Sequence, residues 1–92
     1  MARVLMYCTA TCPYCRFAER LLARKGVQDV ERVRVDLEPA RRAEMMRKSG
    51  RRTVPQIWIS GRHVGGFDDL YALEEAGELD RMLAAAASAP VS

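Results

Sequence analysis

With 92 residues the chain has room for one hydrophobic core and not for two. Its 49% apolar and 29% charged composition is that of a globular domain, and no apolar stretch approaches the length of a membrane span. The net charge of +3 is modest, and the basic cluster at 41–52 has no interleaved aromatic residues, which argues against a nucleic-acid partner.

In chain order, residues 3–8 are nearly continuously apolar, which predicts a central strand buried on both faces. Cys12-Pro13-Tyr14-Cys15 follows directly. Two cysteines separated by two residues between a strand and a helix are the sequence form of a redox-active disulfide. Residues at i and i+3 of a first helical turn have Cβ atoms about 5–6 Å apart, close to what a disulfide spans. Pro13 suits the first helical position, so Cys12 falls at the N-cap. There its sulfur can accept from the N–H groups of Tyr14 and Cys15, and these donors, with the helix dipole, favour thiolate over thiol. A zinc site needs further paired ligands, and Cys8 and His63 do not form a second pair. A purely structural disulfide fits poorly with an odd cysteine count and no secretory signal. A cytosolic location is the corresponding expectation.

Phe17, Ala18, Leu21 and Leu22 recur at helical spacing, and Arg24-Lys25-Gly26 closes that helix. Residues 30–36 alternate, with Val33 and Val35 against Arg32 and Arg34, and read as a half-exposed strand parallel to the first. Pro39 opens a second helix, with Ala40, Ala43 and Met46 expected on its buried side and Gly50 at its end. Its arginines, continuing to Arg51 and Arg52, read either as a solvated face or as a site for a small anion beside Thr53-Val54-Pro55. Residues 56–59 and 62–64 flank Ser60-Gly61 as a tight hairpin, with His63 on its solvent side. Gly65-Gly66 leads into Phe67-Asp68-Asp69, two acids at the start of a third helix, where the dipole favours them. Leu70 and Leu73 give that helix its buried face. Leu79, Met82, Leu83 and Ala86 mark a last short helix, and residues 87–92 read as a frayed tail. The order is βαβ, helix, hairpin, helices. It predicts one domain over 1–86, an α/β thioredoxin-like fold with a four-stranded mixed sheet and helices on both faces.

Cys12-Pro13-Tyr14-Cys15, Thr53-Val54-Pro55 and Gly65-Gly66-Phe67-Asp68-Asp69, in this order and spacing, resemble the glutaredoxins. The short bacterial dithiol members are the nearest group, and the likeness covers roughly residues 3–83. It implies catalytic Cys12 and Cys15 and glutathione as reducing co-substrate. It also implies a glutathione site built from Tyr14, Arg42, Thr53, Val54, Pro55, Gly66, Asp68 and Asp69. By the same resemblance Pro55 is cis, and Val54 pairs main chain to main chain with the cysteinyl part of glutathione. The acids and helix N–H groups face the γ-glutamyl end, and Arg42 meets the glycyl carboxylate. Tyr14 walls the sulfur site. No metal is expected, and the partners are glutathione and glutathionylated or disulfide-containing proteins, met by a monomer.

Three departures stand out. Thr9 occupies a position where many glutaredoxins carry lysine, which removes one cation from the sulfur. Phe67 stands where short bacterial members often have cysteine. Cys8 is extra, and at the end of a central strand it reads as a buried, inert thiol. The function expected is a glutathione-dependent thiol–disulfide oxidoreductase. Two alternatives stand beside it. An iron–sulfur cluster shared by two chains and two glutathiones is opposed by Pro13, because the resemblance links clusters to smaller or more flexible residues there. A redoxin fed by thioredoxin reductase would not need Arg42, Asp68 and Asp69 as a glutathione cradle.

Overall fold

The computed structural model describes residues 3–88, with side chains described through residue 85. Strand β1 (Val4–Cys8) is followed by helix α1 (Pro13–Arg24), β2 (Val30–Arg34) and α2 (Pro39–Ser49). Strands β3 (Gln56–Ile59) and β4 (Arg62–Gly65), then helices α3 (Phe67–Glu75) and α4 (Glu78–Ser88), complete the chain. The sheet order is β2-β1-β3-β4, with β1 parallel to β2 and antiparallel to β3, and β3 antiparallel to β4. This is the expected four-stranded mixed sheet of a thioredoxin-like fold. Helix α4 extends to Ser88, two residues into the expected tail, and 89–92 lie outside the described residues.

The continuous apolar run of β1 has the cause inferred for it, since successive side chains of a strand point to opposite faces and both faces are covered here. Val4, Met6 and Cys8 pack with Ala18, Leu21 and Leu22 of α1, Leu70 of α3, and Leu79 and Leu83 of α4. Tyr7 points the other way, into a smaller cluster with Val33, Val35, Trp58 and Met45 of α2. The hairpin turn has positive φ at both Ser60 (49°) and Gly61 (80°), the backbone that matches strand twist in a two-residue loop.

Helix α2 departs from expectation. Its buried residue is Met45, while Ala40, Ala43 and Met46 are exposed. The helix turns toward the sheet a face carrying Glu44 and Lys48 as well as Met45, because the sheet offers it a phenol. The Tyr7 hydroxyl donates to Glu44, and Lys48 Nζ donates to it at 3.3 Å while lying 4.7 Å from the Trp58 ring centroid. A buried phenol needs hydrogen-bond partners, and the stems of long charged side chains cover the rings that surround it.

Candidate active site

The end of β1 delivers the chain to Cys12, which caps α1 from an extended backbone conformation with Pro13 at the first helical position. The Cys15 N–H donates to Cys12 Sγ at 3.1 Å, so one of the two expected donors, that of Cys15, meets the sulfur. The Cys12 thiol in turn lies 3.7 Å from the Val54 carbonyl oxygen, and the Val54–Pro55 peptide bond is cis. All three cysteines are thiols. Burial, with a hydrogen bond to Cys12 next in size, pushes the Cys15 thiol far up from its ordinary range, so it stays protonated. Burial also raises Cys8, in keeping with an inert thiol on the core face of β1. Cys12 and Cys15 are thus chemically unequal: one sulfur accepts a helix N–H at the start of α1, the other is a thiol held protonated by burial.

Beside them is a cavity of about 340 Å3 lined by Tyr14, Arg51, Thr53, Val54, Pro55, Gly66, Phe67, Asp68 and Asp69. It joins the α1 N-terminus, the segment before β3 and the α3 N-terminus. Arg42 lies outside this lining, and its guanidinium donates to the Arg52 carbonyl at 3.5 Å. Arg51 and Phe67 were not among the residues expected here. Arg51 was legible only as one member of the basic cluster, and Phe67 only as a departure from a family pattern.

The two acids separate cleanly. Asp69 Oδ2 accepts from the Gly66 N–H at 2.9 Å, capping α3, and from Arg51 Nη1 at 2.8 Å. Asp68, by contrast, is exposed at the cavity. Gly65, at φ +116°, is required by this arrangement, since a Cβ there would stand 2.3 Å from Asp69 Oδ2. The β3–β4 register skips Val64, and this bulge turns the backbone from β4 toward the α3 start. Further back, Gln56 is the buried polar side chain of the core. It donates to the Thr53 carbonyl at 3.0 Å, and its Oε1 is 2.8 Å from His63 Nε2. His63 also stacks on Trp58, 4.6 Å between centroids, so this exposed strand residue helps hold the loop that carries Thr53.

The hydrogen bond from Arg51, and then that from the Gly66 N–H, hold the Asp69 carboxyl below its usual range. A carboxylate depressed in the folded state stabilises the fold above its unfolded value and loses that contribution as pH falls through the folded one. Asp69→Ala is therefore expected to cost about 1 kcal/mol of stability at neutral pH, as for other lost helix caps. Thermal melts should show the gap between variant and parent closing as the pH is lowered below 3.8. Equal melting temperatures at neutral pH would remove the capping role.

Two thiols set i, i+3 across a helix start, one accepting a helix N–H and the other held protonated by burial, have the chemistry that disulfide exchange uses. Fold and site together define a thiol–disulfide oxidoreductase of thioredoxin-like fold. The glutaredoxin family model matches residues 4–64, and the chain belongs to that family. It is 56% identical over 85 residues to a glutaredoxin of Pseudomonas aeruginosa, covering 92% of this chain and 100% of that one. It is 52% identical over 83 residues to glutaredoxin 3 of Escherichia coli, covering 90% and 99%. Among solved structures, the buckwheat glutaredoxin–glutathione complex superposes with a TM-score of 0.87 at 27% identity, over 95% of this chain and 81% of that one. Glutaredoxin from Brucella melitensis matches at 51% identity with a TM-score of 0.78, over 90% and 89%. Among the described residues no helix is long and apolar enough to cross a membrane, and no group of three or more His, Cys, Asp or Glu is placed to hold a metal ion.

Proposed function

We propose that this chain is a glutathione-dependent reductase of glutathione mixed disulfides and protein disulfides, acting in the cytosol. The observation that carries the proposal is the cavity beside Cys12, which offers a main-chain edge at Val54, an exposed acid at Asp68 and the start of α3. A tripeptide with a γ-glutamyl ammonium and two carboxylates needs these groups. Val54 takes the peptide edge, Asp68 the ammonium, and the α3 N-terminus the γ-glutamyl carboxylate. Thr53, Pro55 and Gly66 shape the wall, and Tyr14 covers the sulfur. Arg42 is exposed and tied to the carbonyl that precedes Thr53, so its guanidinium can turn to the glycyl carboxylate.

In the monothiol route the Cys12 thiolate attacks the glutathione sulfur of a protein–glutathione mixed disulfide. A Cys12–glutathione disulfide forms, and the protein leaves as a thiolate that takes a proton from water. A second glutathione thiolate then attacks the glutathione sulfur, releasing glutathione disulfide and restoring Cys12. In the dithiol route Cys12 attacks a protein disulfide and Cys15, losing its proton, attacks Cys12 Sγ. The second protein thiol is freed and Cys12–Cys15 is oxidised. Two glutathiones reduce that disulfide again, as glutaredoxin potentials of about −200 to −230 mV permit against a cytosolic glutathione pool.

The test is a glutathione-coupled assay on the mixed disulfide of glutathione and 2-mercaptoethanol. Turnover saturating in glutathione supports the reading, and reduction by thioredoxin reductase alone would overturn it. Thr9→Lys gauges what the absent cation contributes. An exposed ion pair is worth about 1 kcal/mol or less, so the glutathione KM is expected to fall by no more than about fivefold. An unchanged KM would mean that the helix terminus and neighbouring arginines already supply the field.

A further inference from the structure

One face beside the site carries more exposed aromatic surface than folding requires. Tyr14 and Phe17 of α1 and Phe67 and Tyr71 of α3 form a continuous run of ring contacts with centroids 5.8–6.3 Å apart. Yet Tyr14, Phe17 and Tyr71 are 56%, 44% and 46% exposed. Between the two helices this run borders an apolar groove of about 480 Å3, lined by Phe17, Arg20, Ala23, Arg24 and Phe67. Phe67 also lines the cavity beside Cys12, so groove and reactive site share a wall.

The charge around the groove is one-sided. Arg20 and Arg24 stand one helical turn apart on its rim, both exposed, and among the described residues neither has an ion-pair partner. On α3, Glu74 is engaged elsewhere, bridging Lys25 at 2.6 Å. An apolar floor with an unmatched basic rim fits an apolar side chain flanked by carboxylates.

We propose that this groove docks the polypeptide of the substrate protein next to its modified cysteine, and that it selects segments combining an aromatic or branched aliphatic residue with acidic ones. The proposal rests on the glutathione-dependent reading above and adds to it what the protein half of the mixed disulfide must look like. Glutathione occupies the cavity on one side of Phe67. The polypeptide leaves on the other side, over Phe17, with its carboxylates against Arg20 and Arg24.

The test uses short synthetic peptides with one glutathionylated cysteine and one phenylalanine, matched except for glutamates or lysines beside it. The 2-mercaptoethanol mixed disulfide is the control. Exposed pairs at two arginines predict a kcat/KM preference for the glutamate peptide of about tenfold. The preference should narrow with added salt. Arg20→Glu with Arg24→Glu should reverse it, and Phe17→Ser should lower kcat/KM for both peptides, while the control stays unchanged. Binding of the serine versions of the peptides, followed by NMR shifts of α1 and α3 amides, should give the same order without any chemistry.

Equal turnover and binding of the two peptides, or a preference untouched by the arginine reversals, would overturn the proposal. So would a concentration-dependent dimer in sedimentation that Phe17→Ser disperses, because the groove would then be a contact between copies. Loss of turnover on the control with the peptide binding order intact would count against the glutathione reading and still support the docking face.

Discussion

Cys12→Ser is expected to reduce both routes to the uncatalysed background, a loss of several orders of magnitude as for other removed nucleophiles. Cys15→Ser should lose protein-disulfide reduction and retain reduction of glutathione mixed disulfides. The asymmetry follows from the surroundings of each sulfur. Cys12 Sγ receives the Cys15 N–H at the positive end of α1, where developing negative charge is stabilised. Cys15 is 3% exposed and held protonated by burial, so in the proposed dithiol route it acts once Cys12 is already in a mixed disulfide beside it. In the monothiol route a second glutathione replaces it from solution. Separate assays on a glutathione mixed disulfide and on a protein disulfide check this. Equal losses in the two variants on the mixed disulfide would contradict the assignment.

Local chemistry made much of this molecule legible in advance. Pro13 and the two cysteines placed the start of α1, Lys25-Gly26 its end, and Ser60-Gly61 the hairpin, because each signal acts through its own backbone. The fold class followed from the order of such elements. The inward face of α2 was not legible. Counting apolar residues favours Ala40, Ala43 and Met46, whereas the helix is oriented by what Tyr7 and Trp58 need from Glu44, Met45 and Lys48. That demand originates on two strands remote in sequence.

The same limit applies at the site. The motifs themselves contain eight of the nine residues that line the cavity, but Arg51 reaches it through an ion pair with Asp69, which no local pattern encodes. Gln56 and His63 likewise reach Thr53 through a chain of side-chain bonds across β3 and β4. Arg42 shows the converse, since a residue assigned by likeness to a family sits against the Arg52 carbonyl, outside the cavity lining.

Asp68→Asn should separate ligand binding from helix capping at the start of α3. Asparagine keeps the shape of the side chain and removes the charge proposed to meet the γ-glutamyl ammonium. Asp69 already caps the helix through the Gly66 N–H and is paired with Arg51, so the fold does not depend on Asp68 for either task. Stability should therefore change little. A lost charge-assisted hydrogen bond is worth about 1–3 kcal/mol, so the glutathione KM should rise roughly fivefold to a hundredfold. The Asp69→Ala melt supplies the contrast, a loss of stability from the neighbouring acid. If Asp68→Asn lowers the melting temperature and leaves glutathione kinetics alone, the two acids have exchanged roles. If neither variant alters glutathione kinetics, the cavity does not hold the γ-glutamyl end, and reduction by thioredoxin reductase becomes the better account of how Cys12–Cys15 is returned to the dithiol.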